Sequence, residues 1–393
     1  MKEAVANILK GKRIEDILNS IIKFSKQETT SFACWRLPND SEIHLLVQFG
    51  EPEKLTEIDL ESSIQGFLLS PFNNKRSKLF IKSDLHITFK SPSDFNINSN
   101  SKSDKLIEFI NSDSVELSNT EFTDNSKPES VGFKYLVERS VREIDNGNFT
   151  KVVPSRKREI GYSGDFNSGE AFKNLCDKYP TAFVSILYTS ESGIWIGATP
   201  ELLISTQNNI FKTVALAGTQ KYEIDKPLAD TAWTQKEIEE QALVSRYIIN
   251  CFKKIRLREF EEHGPKTVKA GNLIHLKTEF KVDMKSTNFP ELGSTMLNLL
   301  HPTSAVCGMP MQSAQEFLFE NEGYDREYYS GYLGPVNINS FTAQYVNLRC
   351  MKVDEGKITL FAGAGVTEDS NPEKEWVETE LKMNTILNVI KPN

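Results

Sequence analysis

Apolar side chains at Ile14, Ile17, Leu18, Ile21, Ile22 and Phe24 recur at helical spacing, so residues 1–28 are expected to form an amphipathic helix. Short strand-like runs follow at 31–37 and 43–49, and 59–69 resembles the start of a further element. Between 91 and 130 the pattern dissolves into Ser, Asn, Asp and Lys. That composition predicts an exposed, weakly constrained excursion, broken by one helical turn at 105–110. Periodicity returns at 131–146, where Tyr135, Leu136, Val141 and Ile144 mark an amphipathic helix that Asp145-Asn146-Gly147 can close.

Beyond that point the chain is dense in elements. Strands are expected at 151–156, 201–206, 211–217, 273–280, 332–336, 342–353 and 357–361, with a hairpin over 182–197. Helices are expected at 169–179, 292–300 and 314–320, and a long one at 232–252 carries the stripe Ile238, Leu243, Val244, Tyr247 and Ile248. Ser370 or Asn371 can cap a last helix with Pro372 in its first position. Strands come in runs with few helices between them, which predicts an α+β fold of mostly antiparallel sheets. No repeat of fixed period is visible.

Composition narrows the function classes. The chain has 393 residues and a net charge of −8, a balance that argues against bulk nucleic-acid binding. Five scattered cysteines, without any C-x-x-C, argue against a disulfide framework or a zinc site. No stretch of about 18 apolar residues occurs, so no membrane partner is expected and a cytoplasmic setting is the default.

Two acidic helices supply the first candidate chemistry. Glu237 and Glu240 stand three apart on the long helix; Glu375 and Glu378 repeat that spacing on the last one, with Lys382 on the same face. Facing helices of this kind can hold a hard cation through oxygen, as magnesium prefers. A di-iron bundle is disfavoured because neither helix has a Glu-x-x-His pair. The competing explanation is two solvated helix faces. Lys151 opens an apolar strand, where a desolvated lysine can serve as a base. Glu201 enters a strand after Gly197-Ala-Thr-Pro200 and could be a shielded acid, or equally a solvated edge residue. His275 lies between Ile274 and Leu276, the usual setting of a satisfied sheet histidine, and Arg349 would need an anionic partner if it points inward. Gly218-Thr219 offers a backbone N–H and a hydroxyl.

Taken in order, Lys151-Val-Val-x-Ser-Arg, Gly197-Ala-Thr-Pro-Glu-Leu-Leu, Leu216-Ala-Gly-Thr219, Glu240-x-x-x-Val, His275-Leu-x-Thr278, Leu300-His-Pro-Thr-x-Ala-Val-Cys-Gly308, Asp325-Arg326 with Tyr329-x-Gly331, and Phe361-Ala-Gly-Ala-Gly-Val with Glu375-Trp-x-Glu378 and Lys382 form a series. The series resembles that of chorismate-utilising enzymes, and within them the isochorismate synthases most closely. It covers about residues 130–392; residues 1–130 match only loosely. The resemblance implies a single domain over 1–393, with a divergent part at 1–130 and a catalytic core at 131–393. It implies two large sheets packed together, helices outside and a site in a cleft between them. It also implies magnesium-dependent conversion of chorismate to isochorismate. Glu240 and Glu378 would bind Mg²⁺ directly, and Glu237 and Glu375 would hold its waters. Gly218 and Thr219 would take the ring carboxylate with the metal, while Arg349, Lys382 and Gly363 would take the enolpyruvyl carboxylate. His275, Ala305 and Val306 would line the pocket. Lys151 would activate water at ring C2, and Glu201 would protonate the leaving C4 hydroxyl.

Two positions depart from the family pattern. Gln241 stands where His is common, and Pro154 stands where an aliphatic residue is usual. Proline lacks an N–H, so the sheet must have an edge or a bulge there. Anthranilate-forming relatives carry Gln at the Lys151 position, and aminodeoxychorismate synthases differ near Val306. Salicylate synthase and a catalytically silent chorismate-binding protein remain the alternatives. A monomer is expected, because no separate apolar stripe asks for a partner.

Overall fold

The computed structural model describes residues 11–391 apart from 92–93, 100–102, 113–115, 124–129, 223–226 and 271–272. The described residues form eight α-helices: α1 (Ile14–Gln27), α2 (Asp104–Ser112), α3 (Ser130–Asp145), α4 (Ser168–Lys178), α5 (Gln235–Lys254), α6 (Leu292–Leu300), α7 (Met311–Asn321) and α8 (Pro372–Ile390).

The strands gather into three antiparallel sheets. The ten-stranded sheet runs Asp94–Ser99, Leu85–Ser91, Ile43–Gln48, Ser31–Arg36, Phe183–Thr189, Gly193–Thr199, Cys350–Asp354, Lys357–Gly363, Ser155–Ser163 and Glu121–Thr123. The nine-stranded sheet runs Glu261–Ala270, Leu273–Asp283, Ile210–Lys221, Leu202–Gln207, Phe341–Val346, Tyr332–Val336, Gly66–Ser70, Lys78–Lys82 and Glu53–Leu55. Gly308–Met309 and Lys151–Val152 make a two-stranded sheet of their own. The α+β architecture expected from the sequence is therefore present, with two large sheets face to face and helices outside.

Period-two side-chain alternation builds the layers. On Ser31–Arg36, Phe32 and Cys34 enter the core beneath α1, α2, α4 and α8, while Ala33 and Trp35 enter the core between the sheets with Phe67, Leu69 and Trp195. A third core lies between the nine-stranded sheet and α5 and α6, around Phe211, Phe252, Phe280 and Leu297. All five cysteines are buried and free. No described helix is long and apolar enough to cross a membrane.

Several elements differ from the sequence reading. Residues 1–10 of the first helix lie outside the described residues, and α1 begins at Ile14. The described parts of 91–130 are built into the fold. They supply a strand at each edge of the ten-stranded sheet and the helix α2, whose Leu106, Ile107 and Ile110 are buried. Three apolar side chains within five residues are enough to dock that helix beside α1. Ile238 is 47% exposed and stands off the packed face of α5, which buries Gln241, Val244, Ile248, Cys251 and Phe252 instead.

Two expected strands are each split. The 342–353 run divides into Phe341–Val346 and Cys350–Asp354, which belong to different sheets, with Arg349 between them at φ 47°. The 151–156 run divides at Pro154, where the chain leaves the small sheet for the ten-stranded one. A third crossing, through Pro200 and Glu201, carries the chain from Gly193–Thr199 into Leu202–Gln207. Lys151, Glu201 and Arg349 thus all stand at or near points where the chain passes between sheets.

Candidate active site

A cavity of about 210 Å³ opens where these crossings meet α5 and α8. Every site residue expected from the sequence lines it except Lys151 and Glu375, and each of those bonds to a residue that does.

Helix α5 presents the first carboxylates. Its start is fixed by a capping box, in which the Glu237 carboxylate accepts from the Thr234 backbone N–H at 2.7 Å. Glu237 also accepts from Gln220 Nε2 at 2.8 Å, so it is tied to the neighbouring strand. One turn on, Glu240 Oε1 accepts from Lys151 Nζ at 2.9 Å. Lys151 is 1% exposed, so this contact buries a charge with its counter-charge. Burial opposes ionisation of Glu240, but the Lys151 ammonium outweighs it and holds the carboxyl below its ordinary value. A Cβ at Gly365 would stand 3.2 Å from both Glu240 Oε1 and Lys151 Cε, so glycine leaves this pair its room.

Helix α8 presents the second pair. Asn371 caps it by accepting from the N–H groups of Glu373 and Lys374, with Pro372 at its start. Lys382 Nζ donates to Glu378 at 2.6 Å and to the Gly363 carbonyl at 2.9 Å. Glu375 is 2% exposed and receives Lys236 Nζ at 3.2 Å. Burial, and then the neighbouring Glu378, raises the Glu375 carboxyl above its ordinary value. Lys236 is a site residue the sequence reading missed. Its i,i+4 spacing to Glu240 on α5 was the available signal.

The other end of the cavity is built by turns. Gly218 sits at φ 66° in a bulge of the Ile210–Lys221 strand, between Ala217 and Gln220. Its carbonyl therefore faces His275, whose Nδ1 lies 2.9 Å away. A carbonyl can only accept, so Nδ1 carries the proton and Nε2 carries a lone pair. Nε2 is buried without a hydrogen-bond partner among the described residues. Burial, then the nearby Arg349, lowers the imidazole to about 4, so His275 is a neutral acceptor near pH 7.

The Arg349 guanidinium makes no hydrogen bond or ion pair among the described residues, and burial lowers its pKa. A shielded guanidinium without a counter-ion suits an anionic ligand. Burial raises Glu201 to about 7, against the pull of Arg349, Lys382 and Lys151. Tyr329, also missed as a site residue although its motif was noted, lines the cavity and is lifted by burial to about 12. It is a phenol at any ordinary pH.

The family model described as "Chorismate binding enzyme" matches residues 70–391. The chain belongs to this family. Isochorismate synthase EntC of Escherichia coli K12 is 32% identical over 270 residues, covering 67% of this chain and 68% of that protein. Isochorismate synthase DhbC of Bacillus subtilis is 28% identical over 272 residues, covering 66% and 68%. Among solved structures, the menaquinone-specific isochorismate synthase MenF of Escherichia coli superposes with a TM-score of 0.76 at 19% identity, over 97% of this chain and 92% of that one. Anthranilate synthase component I of Streptococcus pneumoniae gives 0.67 at 19% identity, over 90% and 89%. These two superpositions carry the fold alone, which family members of different chemistry share. The family match reaches about sixty residues further toward the N-terminus than the motif series did.

The resemblance also implies magnesium. Among the described residues no three His, Cys, Asp or Glu side chains converge as a ready metal centre. Glu237, Glu240, Glu375 and Glu378 nevertheless offer only oxygen donors, and the raised carboxyl of Glu375 beside Glu378 marks acidic groups crowded together. That donor set fits a hard divalent cation.

Proposed function

We propose that the protein is an isochorismate synthase, converting chorismate to isochorismate with Mg²⁺ as cofactor. The observation that carries this reading is the pairing of functions in one cavity. A carboxyl poised at about 7 and a guanidinium without a direct ion pair line it, and a buried lysine reaches it through Glu240.

The residues divide the chemistry between them. Arg349 and Lys382, with the backbone at Gly363, receive the enolpyruvyl carboxylate. Gly218 and Thr219 receive the ring carboxylate. Glu240 and Glu378 would hold the metal directly, with Glu237 and Glu375 on its waters; when bound, it neutralises and orients the ring carboxylate. Lys151, once unprotonated, takes a proton from the water that attacks ring C2. Glu201 gives its proton to the C4 hydroxyl, which departs as water while the double bonds shift. Hydroxide is a poor leaving group, so a carboxyl still protonated near neutral pH is the acid this step needs. The His275 Nε2 lone pair offers the cavity an acceptor for a ligand hydroxyl or water.

Incubation with chorismate and Mg²⁺ in ¹⁸O-labelled water, followed by separation of products, tests the reading. Isochorismate labelled at C2 is expected. Unlabelled product would remove the water-attack role. Anthranilate formed with ammonia, or stoichiometric pyruvate and salicylate, would replace the proposed activity with an aminating or lyase one.

A further inference from the structure

The chain loses regular backbone pairing just beyond Val152. Val153 N–H still donates to the Cys307 carbonyl at 2.8 Å, but the Cys307 N–H turns away to Thr303. The Val153 carbonyl is thereby released from the ladder. Pro154 has no N–H to offer. Ser155 then joins the ten-stranded sheet opposite Gly363.

One buried ion pair serves the groups released there. Arg326 donates to the Val153 carbonyl at 2.7 Å and to the Val306 carbonyl at 2.8 Å. Glu322 accepts from the Ser155 N–H at 2.7 Å and from its hydroxyl at 2.8 Å. The two side chains hold each other through Arg326 Nε, 2.7 Å from Glu322 Oε2, and both are 3% exposed. The guanidinium also lies over the Phe72 ring at 4.2 Å, so it is packed as well as bonded. Val153 and Val306 both line the cavity.

We propose that the Arg326–Glu322 pair is the positioning device of the site: it locks the strand carrying Lys151 to the turn carrying Val306, and so fixes how a substrate lies against the base. This rests on the proposed reaction for its chemical consequence. Neither residue touches the cavity's contents. A bidentate fork sets two carbonyls at a defined separation, which an ammonium cannot do. With the lock intact, Val306 stands as an aliphatic wall and the enolpyruvyl arm stays extended toward Arg349. With the lock loosened, the arm can fold back, carry the C2 hydrogen to its methylene carbon and leave as pyruvate, with an aromatic hydroxy acid remaining.

The test uses Arg326→Lys and Glu322→Gln, with three readouts. Amide hydrogen exchange should quicken in 151–155 and 305–309 while 183–189 keeps its wild-type rate. The kcat/KM for chorismate should fall on the order of 10²-fold, as displacements near 1 Å can cause. Pyruvate per chorismate consumed, counted with lactate dehydrogenase, should rise above wild type. If either variant does not fold, Ser155→Ala, which removes one contact to Glu322, carries the same readouts with smaller changes. Unchanged exchange in those two segments overturns the lock. Quickened exchange everywhere, with an unchanged pyruvate ratio, reduces the pair to ordinary structural support and also overturns the proposal. Wild type that leaves chorismate untouched defeats the reaction instead, and the exchange arm then judges the lock by itself.

Discussion

Glu201 is where burial becomes chemistry. Its folded carboxyl is raised to about 7 from an ordinary 4.5, so the acid of the proposed reaction is lost as pH rises past about 7. The alkaline side of the rate profile should bend there. Glu201→Gln should remove turnover by on the order of 10²–10⁴-fold and remove that bend. The same shift has a stability consequence. The native state prefers the protonated form, so its contribution is intact below 4.5 and withdrawn as pH rises through about 7. Melting curves should therefore show Glu201→Gln gaining on wild type at pH 8 and matching it at pH 4.5. Lys151→Ala should lose turnover by a similar factor while calorimetry still detects chorismate binding, since Arg349 and Lys382 remain. Normal kcat in that variant would rule Lys151 out as the base.

Helix ends, at the next scale, decide whether the carboxylates are presented at all. The Asn371 cap starts α8 about one turn before Glu375 and two before Glu378. Asn371→Ala should cost about 1 kcal/mol in chemical denaturation. It should also weaken magnesium affinity, because Glu375 lies in that first turn. Equal magnesium affinity would separate the cap from the site. These helices were legible in the sequence because caps, proline and i,i+3 carboxylates are local signals. The sheet crossings were less so. Thr342 to Val353 reads as one strand-like run of mixed apolar and polar residues, and nothing local announces that Arg349 takes φ 47° between two sheets. Pro154 did announce its break. Lys236 escaped because one lysine on an acidic helix looks like surface charge until Glu375, from the far end of the chain, arrives beside it. The edge strand Asp94–Ser99 escaped because its sequence, Asp-Phe-Asn-Ile-Asn-Ser, alternates too briefly amid polar residues to separate from its surroundings.

For the molecule as a whole, the proposed metal would be linked to the fold. Anything that binds only the native state stabilises it, by about 2.7 kcal/mol at a hundredfold excess over Kd. Thermal unfolding of wild type should shift upward with added Mg²⁺, and EDTA should return it to baseline and stop turnover. In Glu240→Gln and Glu378→Gln the upward shift should shrink toward zero. A shift of wild-type size in both variants would mean that the ion sits elsewhere.

The order of the strands also matters during synthesis. Ser31–Arg36 lies between Ile43–Gln48 and Phe183–Thr189, and Gly66–Ser70 lies against Tyr332–Val336. On a ribosome adding about 5–20 residues per second, Gly66–Ser70 emerges roughly 13–50 s before this second partner exists, although Lys78–Lys82 follows it at once. During that interval Gly66–Ser70 can pair with Lys78–Lys82, but its other edge stays open and Phe67, Leu68 and Leu69, all fully buried at the end, lack the cover of the later strands. Early hairpins form at once, yet neither large sheet can close until strands from the far end of the chain arrive, so yield in the cell should respond to chaperone supply and translation speed.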